Sequence, residues 1–402
     1  MGGSKARDSR IRELELAVAL AEFQIENLNS VVLRWDRNGI VTFLNTFGCQ
    51  LFGWDREEIV GRPVLGTITD DKETTGRDLR AMIEEILIHP EAFETNEHEN
   101  VRKDGSRVWM LWRNRPILNS EGELIEILTV GVDITERKRL DDELQAAYAR
   151  MEQELEFGHT VQMTLIPDVS SVLSNDDNLV AAATHRPARE LGGDFYDILR
   201  SSDGRVWFCI GDVSGKGVAA ALYMAVAKTH FTSLATKLTS PCEVVSRMND
   251  ELAKDNPSAM FVTLFVAVID PATGNVRFTN AGHNPPFVCR GQDWVDPLDQ
   301  LHGPVVGAVE DLVYGEDHLT LQESDVLVLY TDGITEAMDV EHQLYGEQRF
   351  LDVLRSTSVE PSAIVTAIVD SVDSFAGTEE QADDITMFVI RRGTTASARA
   401  SG

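Results

Sequence analysis

Apolar residues recur at Leu14, Val18, Ala21, Ile25 and Leu28, in alternating steps of four and three, and predict a helix over residues 11–28. It forms either a short coiled coil with a second copy or a helix packed on its own domain. From Ser30 the period shortens. Val31–Leu33 and Ile40–Phe43 read as strands around the turn Asp36-Arg37-Asn38-Gly39, and a helical stretch follows through Leu51. Two further strands, Arg107–Trp112 and Ile125–Val132, each follow a glycine turn, so a small antiparallel sheet covered by helices is expected. Residues 136–165 contain no proline and a single glycine, Gly158. There Leu140, Leu144, Ala147 and Met151 repeat in four-three-four steps and Leu155 comes four later, the spacing of a helix with a stutter that ends at Pro167. A parallel coiled-coil linker is the expected role; a single helix docked on the next domain is the alternative.

The remaining pattern is longer and more apolar. Strands are expected at Arg205–Ile210, Phe261–Ile269, Val276–Asn280, Val326–Tyr330 and Ile385–Ile390, with helices over Val218–Thr236, Pro241–Asp255 and Pro361–Phe375. Hairpins followed by helices indicate an α+β sandwich rather than alternating βαβ units. The small, polar residues from Gly393 to Gly402 predict a disordered tail. A chain of 402 residues exceeds one ordinary core. The expected division is an N-terminal helix (1–29), a first domain (30–135), a helical linker (136–166), a second domain (167–392) and the tail (393–402).

Composition narrows the class. Hydrophobic content of 43% and charged content of 25% suit a soluble globular chain. The most apolar run, Val218–Ala227, stops at Lys228, short of a membrane span, and the N-terminus lacks the apolar core of a signal peptide. A net charge of -30 argues against a nucleic-acid partner. Cys49, Cys209, Cys242 and Cys289 are scattered, form no CxxC pair and sit mostly in apolar stretches, which predicts free thiols and no structural zinc. A cytoplasmic protein without membrane contact is expected.

Some acids fall where a solvated surface residue should not. Asp203-Gly204 reads as a two-residue hairpin turn, which sets 202 opposite 205 and 195 opposite 212 and makes Asp194 and Asp212 near neighbours. Two carboxylates that close repel unless protonated or bridged by a cation, and hard divalent ions favour oxygen ligands. Asp332 closes the apolar strand 325–331, and Asp383 and Asp384 open the strand 385–390. Any one of these alone would read as a turn cap; four sites in one domain point to a metal cluster.

Two families are resembled. Asp36-Arg-Asn-Gly-Ile40, Asn45, Leu51-Phe-Gly-Trp54, Glu58-Ile-Val-Gly-Arg62, Arg102-Lys-Asp-Gly105 and Asp133-Ile-Thr-Glu-Arg137 resemble a PAS domain over about residues 28–137. Where the flavin-photoadduct subclass carries Asn-Cys-Arg-Phe-Leu, this chain reads Gly61-Arg-Pro-Val-Leu-Gly66, so no photochemical flavin is expected and the PAS ligand is left unidentified. His89, before a proline, reads as a loop residue rather than a haem ligand. The second domain is similar to the SpoIIE-like/RsbU-like branch of the PPM (type 2C) phosphatases. The matching segments, in order, are Arg186-Pro-Ala-Arg-Glu-Leu-Gly-Gly-Asp-Phe-Tyr-Asp197, Gly211-Asp-Val-Ser-Gly-Lys-Gly217, Ala281-Gly-His-Asn-Pro-Pro286, Tyr330-Thr-Asp-Gly-Ile-Thr-Glu336 and Ala382-Asp-Asp-Ile-Thr386.

This resemblance implies an αββα sandwich with two Mn²⁺ or Mg²⁺ ions at one edge. Asp212 would bridge both, the Val213 carbonyl would add a ligand, Asp194 would serve the second ion, and Asp332 and Asp383 the first. Asp384 is left open as ligand, second layer or cap. The ions would activate a water for in-line attack on phosphoserine or phosphothreonine. The order PAS, linker, phosphatase is similar to RsbP-type stress-response enzymes. It implies a phosphorylated STAS-domain anti-anti-sigma factor as substrate and a homodimer through PAS and linker helices; a PAS-controlled scaffold that binds a phosphoprotein without turnover is the alternative. Ser214 stands where eukaryotic relatives have a histidine, so the proton donor is unassigned. His283 reads as structural, and Lys216 as either a phosphate contact or a solvated lysine. A cyclase is disfavoured because Gly192-Gly193-Asp194-Phe195 lacks the glutamate of its loop. A histidine kinase is disfavoured because His159 precedes Thr160 and no glycine-rich ATP lid follows.

Overall fold

The computed structural model describes residues 2–393 apart from 175, 177, 255 and 292–293, with the backbone alone for 2–9. The tail expected from Gly393 and the end of the helix expected at Asp255 thus lie outside the described residues, Gly393 excepted. Two compact units form, Met1–Arg150 and Met151–Gly402.

In the first unit α1 (Gly2–Glu26) precedes β1 (Val31–Asp36) and β2 (Val41–Leu44), joined by a turn in which Asp36 Oδ1 accepts the N–H of Asn38 and of Ile40, both at 2.9 Å. Three short helices, α2 (Thr46–Phe52), α3 (Arg56–Ile59) and α4 (Leu79–Ile88), lead to β3 (Thr95–Val101), β4 (Arg107–Leu118) and β5 (Leu124–Asp133). The antiparallel sheet runs β2-β1-β5-β4-β3 and packs one apolar face under the helices, with Trp35, Phe52, Ile83, Met110 and Trp112 at the centre. Within that core a polar chain is threaded. Trp35 Nε1 donates to Thr129 Oγ1 (2.9 Å), Thr129 Oγ1 to Asn114 Oδ1 (2.9 Å), and Asn114 Nδ2 to Asn96 Oδ1 (2.8 Å). Asn96 Nδ2 then lies 2.9 Å from His98 Nδ1. Burial, with the charge of Arg77, pushes His98 down to about 3, so it is neutral. The void beside this chain is about 20 Å³, room for about one water.

Helix α5 (Thr135–Leu165) begins in the first unit and ends in the second. Leu140, Leu144 and Met151 along its seam are half or more exposed, at 51%, 55% and 59%.

The second unit stacks four layers. After α6 (Val169–Leu173) come β6 (Leu179–Arg186), β7 (Phe195–Arg200), β8 (Val206–Val213), α7 (Val218–Ala235), α8 (Pro241–Ala253), β9 (Val262–Ile269), β10 (Asn275–Ala281), β11 (Phe287–Arg290), β12 (Trp294–Pro297) and β13 (Asp317–Thr320). The chain closes with β14 (Val326–Tyr330), α9 (Asp332–Thr335), α10 (Gly346–Ser356), α11 (Pro361–Ala376) and β15 (Ile385–Arg392). One antiparallel sheet is ordered β13-β10-β9-β8-β7 and the other β12-β11-β14-β15-β6. Side chains alternate between faces along each strand, which makes three cores. Phe208, Ile210, Phe265, Leu327, Leu329 and Phe388 fill the space between the sheets. Trp207, Cys209 and Val266 pack under α7 and α8, and Val328, Tyr330 and Met387 under α10 and α11. The αββα sandwich is the architecture expected from the resemblance.

Candidate metal centre

Strand parity decides which side chains meet. Tyr196 and Ile198 of β7, Phe208 and Ile210 of β8, Leu327 and Leu329 of β14, and Phe388 and Ile390 of β15 face the core between the sheets. Continuing each row by two residues reaches Asp194, Asp212, Thr331 and Thr386, and two more reach Asp384. Both sheets therefore deliver polar groups to one end of the sandwich. There the hydroxyl of Thr331 donates to Asp194 Oδ2 at 2.6 Å and accepts the N–H of Thr386 at 3.1 Å.

The hairpin that brings Asp194 to Asp212 differs from expectation by one residue. Phe195 pairs with Gly211, not 212, and Arg200 with Val206. Ser201 N donates to Arg205 O (2.9 Å), so the loop has three residues, Ser202-Asp203-Gly204, with Gly204 at φ 87°. Asp203 accounts for the extra residue: its carboxylate accepts from the Ser201 hydroxyl (2.5 Å) and from Arg205 Nε (2.7 Å). In the expected register Asp194 and Asp212 would face opposite sides of the sheet. The observed register puts them on one side.

The remaining acids arrive by two routes. Asp332 begins the single-turn α9 directly after Thr331, and Asp383 stands one residue out of phase with the Asp384 row. Asp383 Oδ2 is 2.9 Å from Lys216 Nζ, which also donates to Ala382 O at 2.7 Å. Lys216 is therefore neither free nor simply solvated. Asp384 turns inward. Its Oδ1 accepts the N–H of Ala188 (2.8 Å) and its Oδ2 those of Gly193 (2.6 Å) and Asp194 (3.3 Å). That is the geometry of the capping role left open above. Close packing explains two glycines here. A Cβ on Gly192 would stand 2.3 Å from Asp384 Oδ2, and one on Gly333 would stand 2.0 Å from Asp384 O.

Burial and mutual repulsion set the electrostatics. Asp194 is 2% exposed, and burial, then the charges of Asp212 and Asp384, push it well above the carboxylate range. Asp212 is pushed up to about 7 by burial and by Asp332 and Asp383, with a hydrogen bond to Asp194 opposing. Burial and the nearby Glu336 and Asp383 raise Asp332. Such a group of oxygen donors is relieved by a hard divalent cation, so the donor chemistry fits the expected ions. Among the described residues no three His, Cys, Asp or Glu side chains are gathered tightly enough to hold an ion as they stand. Ser214, in the position of the missing histidine, accepts the N–H of Phe261 at 3.0 Å. His283 is 2% exposed, has Thr263 Oγ1 2.9 Å from its Nδ1 and is pushed down to about 4 by burial, so near neutral pH it is the neutral imidazole rather than an imidazolium acid.

Residues 202–393 match the family of stage II sporulation protein E (SpoIIE), and residues 20–134 match the PAS fold. The chain joins a PAS domain to a SpoIIE-family domain. This PAS–SpoIIE chain is 29% identical over 267 residues to protein IcfG of Synechocystis sp., a match covering 60% of this chain and 41% of the relative. It is 27% identical over 251 residues to phosphoserine phosphatase RsbU of Bacillus subtilis, covering 62% and 73%. The chain thus spans less than half of the Synechocystis relative. The SiaA-PP2C domain of Pseudomonas aeruginosa is similar in fold, with a TM-score of 0.54 at 22% identity over 61% of this chain and 98% of that domain.

The SpoIIE-family domain also uses residues that the sequence did not single out. Thr331 and Thr386 are signalled only by strand parity. Gln162 of α5, which bonds to Gly192, carries no sequence signal: it is one polar residue in a polar helix.

Proposed function

We propose that the SpoIIE-family domain is a metal-dependent phosphatase of phosphoserine or phosphothreonine on a partner protein, under control of the PAS domain through α5. The observation that carries this reading is the convergence of Asp194, Asp212, Asp332 and Asp383 at one end of the sandwich. Asp212 sits at its centre and is pushed up to about 7 by burial and its acidic neighbours. The substrate expected from the resemblance is a phosphorylated STAS-type anti-anti-sigma factor, and the working form a cytoplasmic homodimer paired through PAS and linker helices. Among the described residues no helix is long and apolar enough to cross a membrane.

Two Mn²⁺ or Mg²⁺ ions, held by these carboxylates, would supply Lewis acidity to a phosphoryl group and to water. Asp212, Asp194, Asp332 and Asp383, with the Val213 carbonyl, are the groups that would hold them. Thr331 orients Asp194 by its 2.6 Å hydrogen bond, and Asp384 fixes the turn before Asp194. Lys216, 2.9 Å from Asp383, adds a positive charge beside these acids, which would suit a contact to a phosphoryl group.

The test is hydrolysis of p-nitrophenyl phosphate by the full chain with and without Mn²⁺, beside Asp212→Asn. Turnover that requires Mn²⁺ and is lost in the variant is the expected result. A wild-type chain that binds a phosphoprotein but never turns over any phosphate ester would make the protein a binding scaffold instead.

A further inference from the structure

The chain crosses from one sheet of the sandwich to the other at the acid-bearing end, through residues 282–286 between β10 and β11. His283 lies in that crossover and is buried. Its backbone is held on both sides by one side chain: Asn280 Oδ1 accepts the His283 N–H at 2.8 Å, and Asn280 Nδ2 donates to the His283 carbonyl at 3.0 Å. Asn280 is itself fully buried. A Cβ on Gly282 would stand 2.9 Å from Val305 Cγ1, so the turn before the histidine is closely packed as well.

The imidazole reaches both sheets. On the first, its Nδ1 is 2.9 Å from Thr263 Oγ1. Thr263 extends the row of Phe265 and Ala267 that faces the opposite sheet, and it is the direct cross-strand partner of Asp212, so the two side chains are neighbours on one face. On the second sheet the ring is acted on by the backbone of Tyr330, the last residue of β14, which leads through Thr331 to Asp332. Nε2 is buried without a fully formed hydrogen bond, so the contact to Tyr330 is the looser of the two. Elsewhere the sheets meet through apolar packing, which has no direction. A buried polar ring in the crossover costs desolvation that an apolar side chain would not, and what it adds is direction.

We propose that His283 is a positioning residue for the metal site: its imidazole ties the strand opposite Asp212 to the strand end that leads to Asp332, and so sets the spacing of these two carboxylates across the gap between the sheets. The inference rests on the metal-phosphatase reading, in which Asp212 would bridge both ions and Asp332 serve one of them.

The experiment uses the full chain with His283→Leu, which fills the gap without polar atoms, Thr263→Val, which keeps the shape and removes the hydroxyl, and the double variant. Tyr345→Phe, which loses a 2.8 Å hydrogen bond to Ser371 under the outer helices of the same unit, is the control. Mn²⁺ binding is read by the loss of the free-ion paramagnetic resonance signal, independently of turnover, and p-nitrophenyl phosphate hydrolysis gives the Mn²⁺ concentration for half activity. His283→Leu and Thr263→Val should each raise the Mn²⁺ dissociation constant and the half-activation concentration by about tenfold, as lost outer-layer hydrogen bonds do at metal sites. The double variant should match His283→Leu alone, because both changes break one contact. Tyr345→Phe should bind Mn²⁺ as wild type does. Variants that unfold at a lower midpoint yet bind Mn²⁺ with wild-type affinity would make His283 a packing residue only and overturn the proposal, while the phosphatase reading stands. Effects that multiply in the double variant overturn it too, since the ring would then not act through Thr263. A wild-type chain that binds no Mn²⁺ overturns both. If His283→Leu does not fold, Thr263→Val decides the matter by the same measurement.

Discussion

At the scale of single residues, the metal end depends on groups that are not themselves ligands. Thr331 supplies the hydroxyl that satisfies the buried Asp194 carboxylate at 2.6 Å. Thr331→Val keeps the shape and removes the donor, so the second unit should lose about 1–3 kcal/mol in urea unfolding without metal, and half-activation should need more Mn²⁺. An unchanged midpoint would mean that Asp194 finds another donor. His98 gives a pH effect in the first unit. Its folded value of about 3 lies below its ordinary 6.5, so between these values the unfolded chain binds more protons than the folded one. Stability contributed by neutral His98 is complete above pH 6.5 and is lost as pH falls toward 3. Each pH unit in that window should cost about 1.4 kcal/mol, and His98→Gln should flatten the slope in denaturation measured between pH 7 and 5. How much of this was legible depended on what surrounds each residue. Asp194, Asp212, Asp332 and Asp383 stood out because acids beside apolar strands violate the surface pattern. Thr331 and Gln162 did not, since a threonine in a strand and a glutamine in a helix break no rule.

At the scale of elements, periodicity located the longer apolar strands and missed polar or short ones such as β3 and β11. Val326–Tyr330 is observed with the bounds expected, because every residue in it is buried. Strand β3, Thr-Asn-Glu-His-Glu-Asn-Val, has no apolar alternation, since its buried positions 98–100 are His, Glu and Asn. His98 lies against Asn96, Glu99 accepts from Thr74 and Arg107, and Asn100 donates to Ile68 O and Thr69 and accepts from Trp112. The hairpin at Asp203-Gly204 was legible as a turn and not in its register, because a side chain of the loop closes it one residue wider. The exposed seam of α5 makes a prediction of its own. Leu140, Leu144 and Met151 lie open to solvent on one helix, a pattern that a second copy of the helix would bury. Leu144→Glu with Met151→Glu should therefore lower the mass measured by light scattering from dimer to monomer and alter turnover, with circular dichroism unchanged. If mass and turnover both hold, α5 is a tether rather than a pairing element.

At the scale of the molecule, the two units have separate interiors. The core around Trp35, Phe52 and Trp112 draws on the first unit alone, and the three cores of the sandwich on the second alone. Every residue proposed to hold metal lies between Asp194 and Asp383, inside the second unit. A ligand that binds only the folded form stabilises it by RT ln(1 + [L]/Kd), about 2.7 kcal/mol at a hundredfold excess over Kd. For a unit of this size that is about 5–10 °C in midpoint. Calorimetry of the full chain should therefore show Mn²⁺ raising the transition of the sandwich by that amount and leaving the PAS transition where it was. Asp212→Asn should remove the shift, and it should also raise the metal-free midpoint, since it takes one charge out of a buried cluster of like charges. Equal shifts in both transitions would place the ion elsewhere in the chain. A metal-free midpoint that falls in Asp212→Asn would mean that the acids are held together by their own hydrogen bonds rather than kept waiting for a cation.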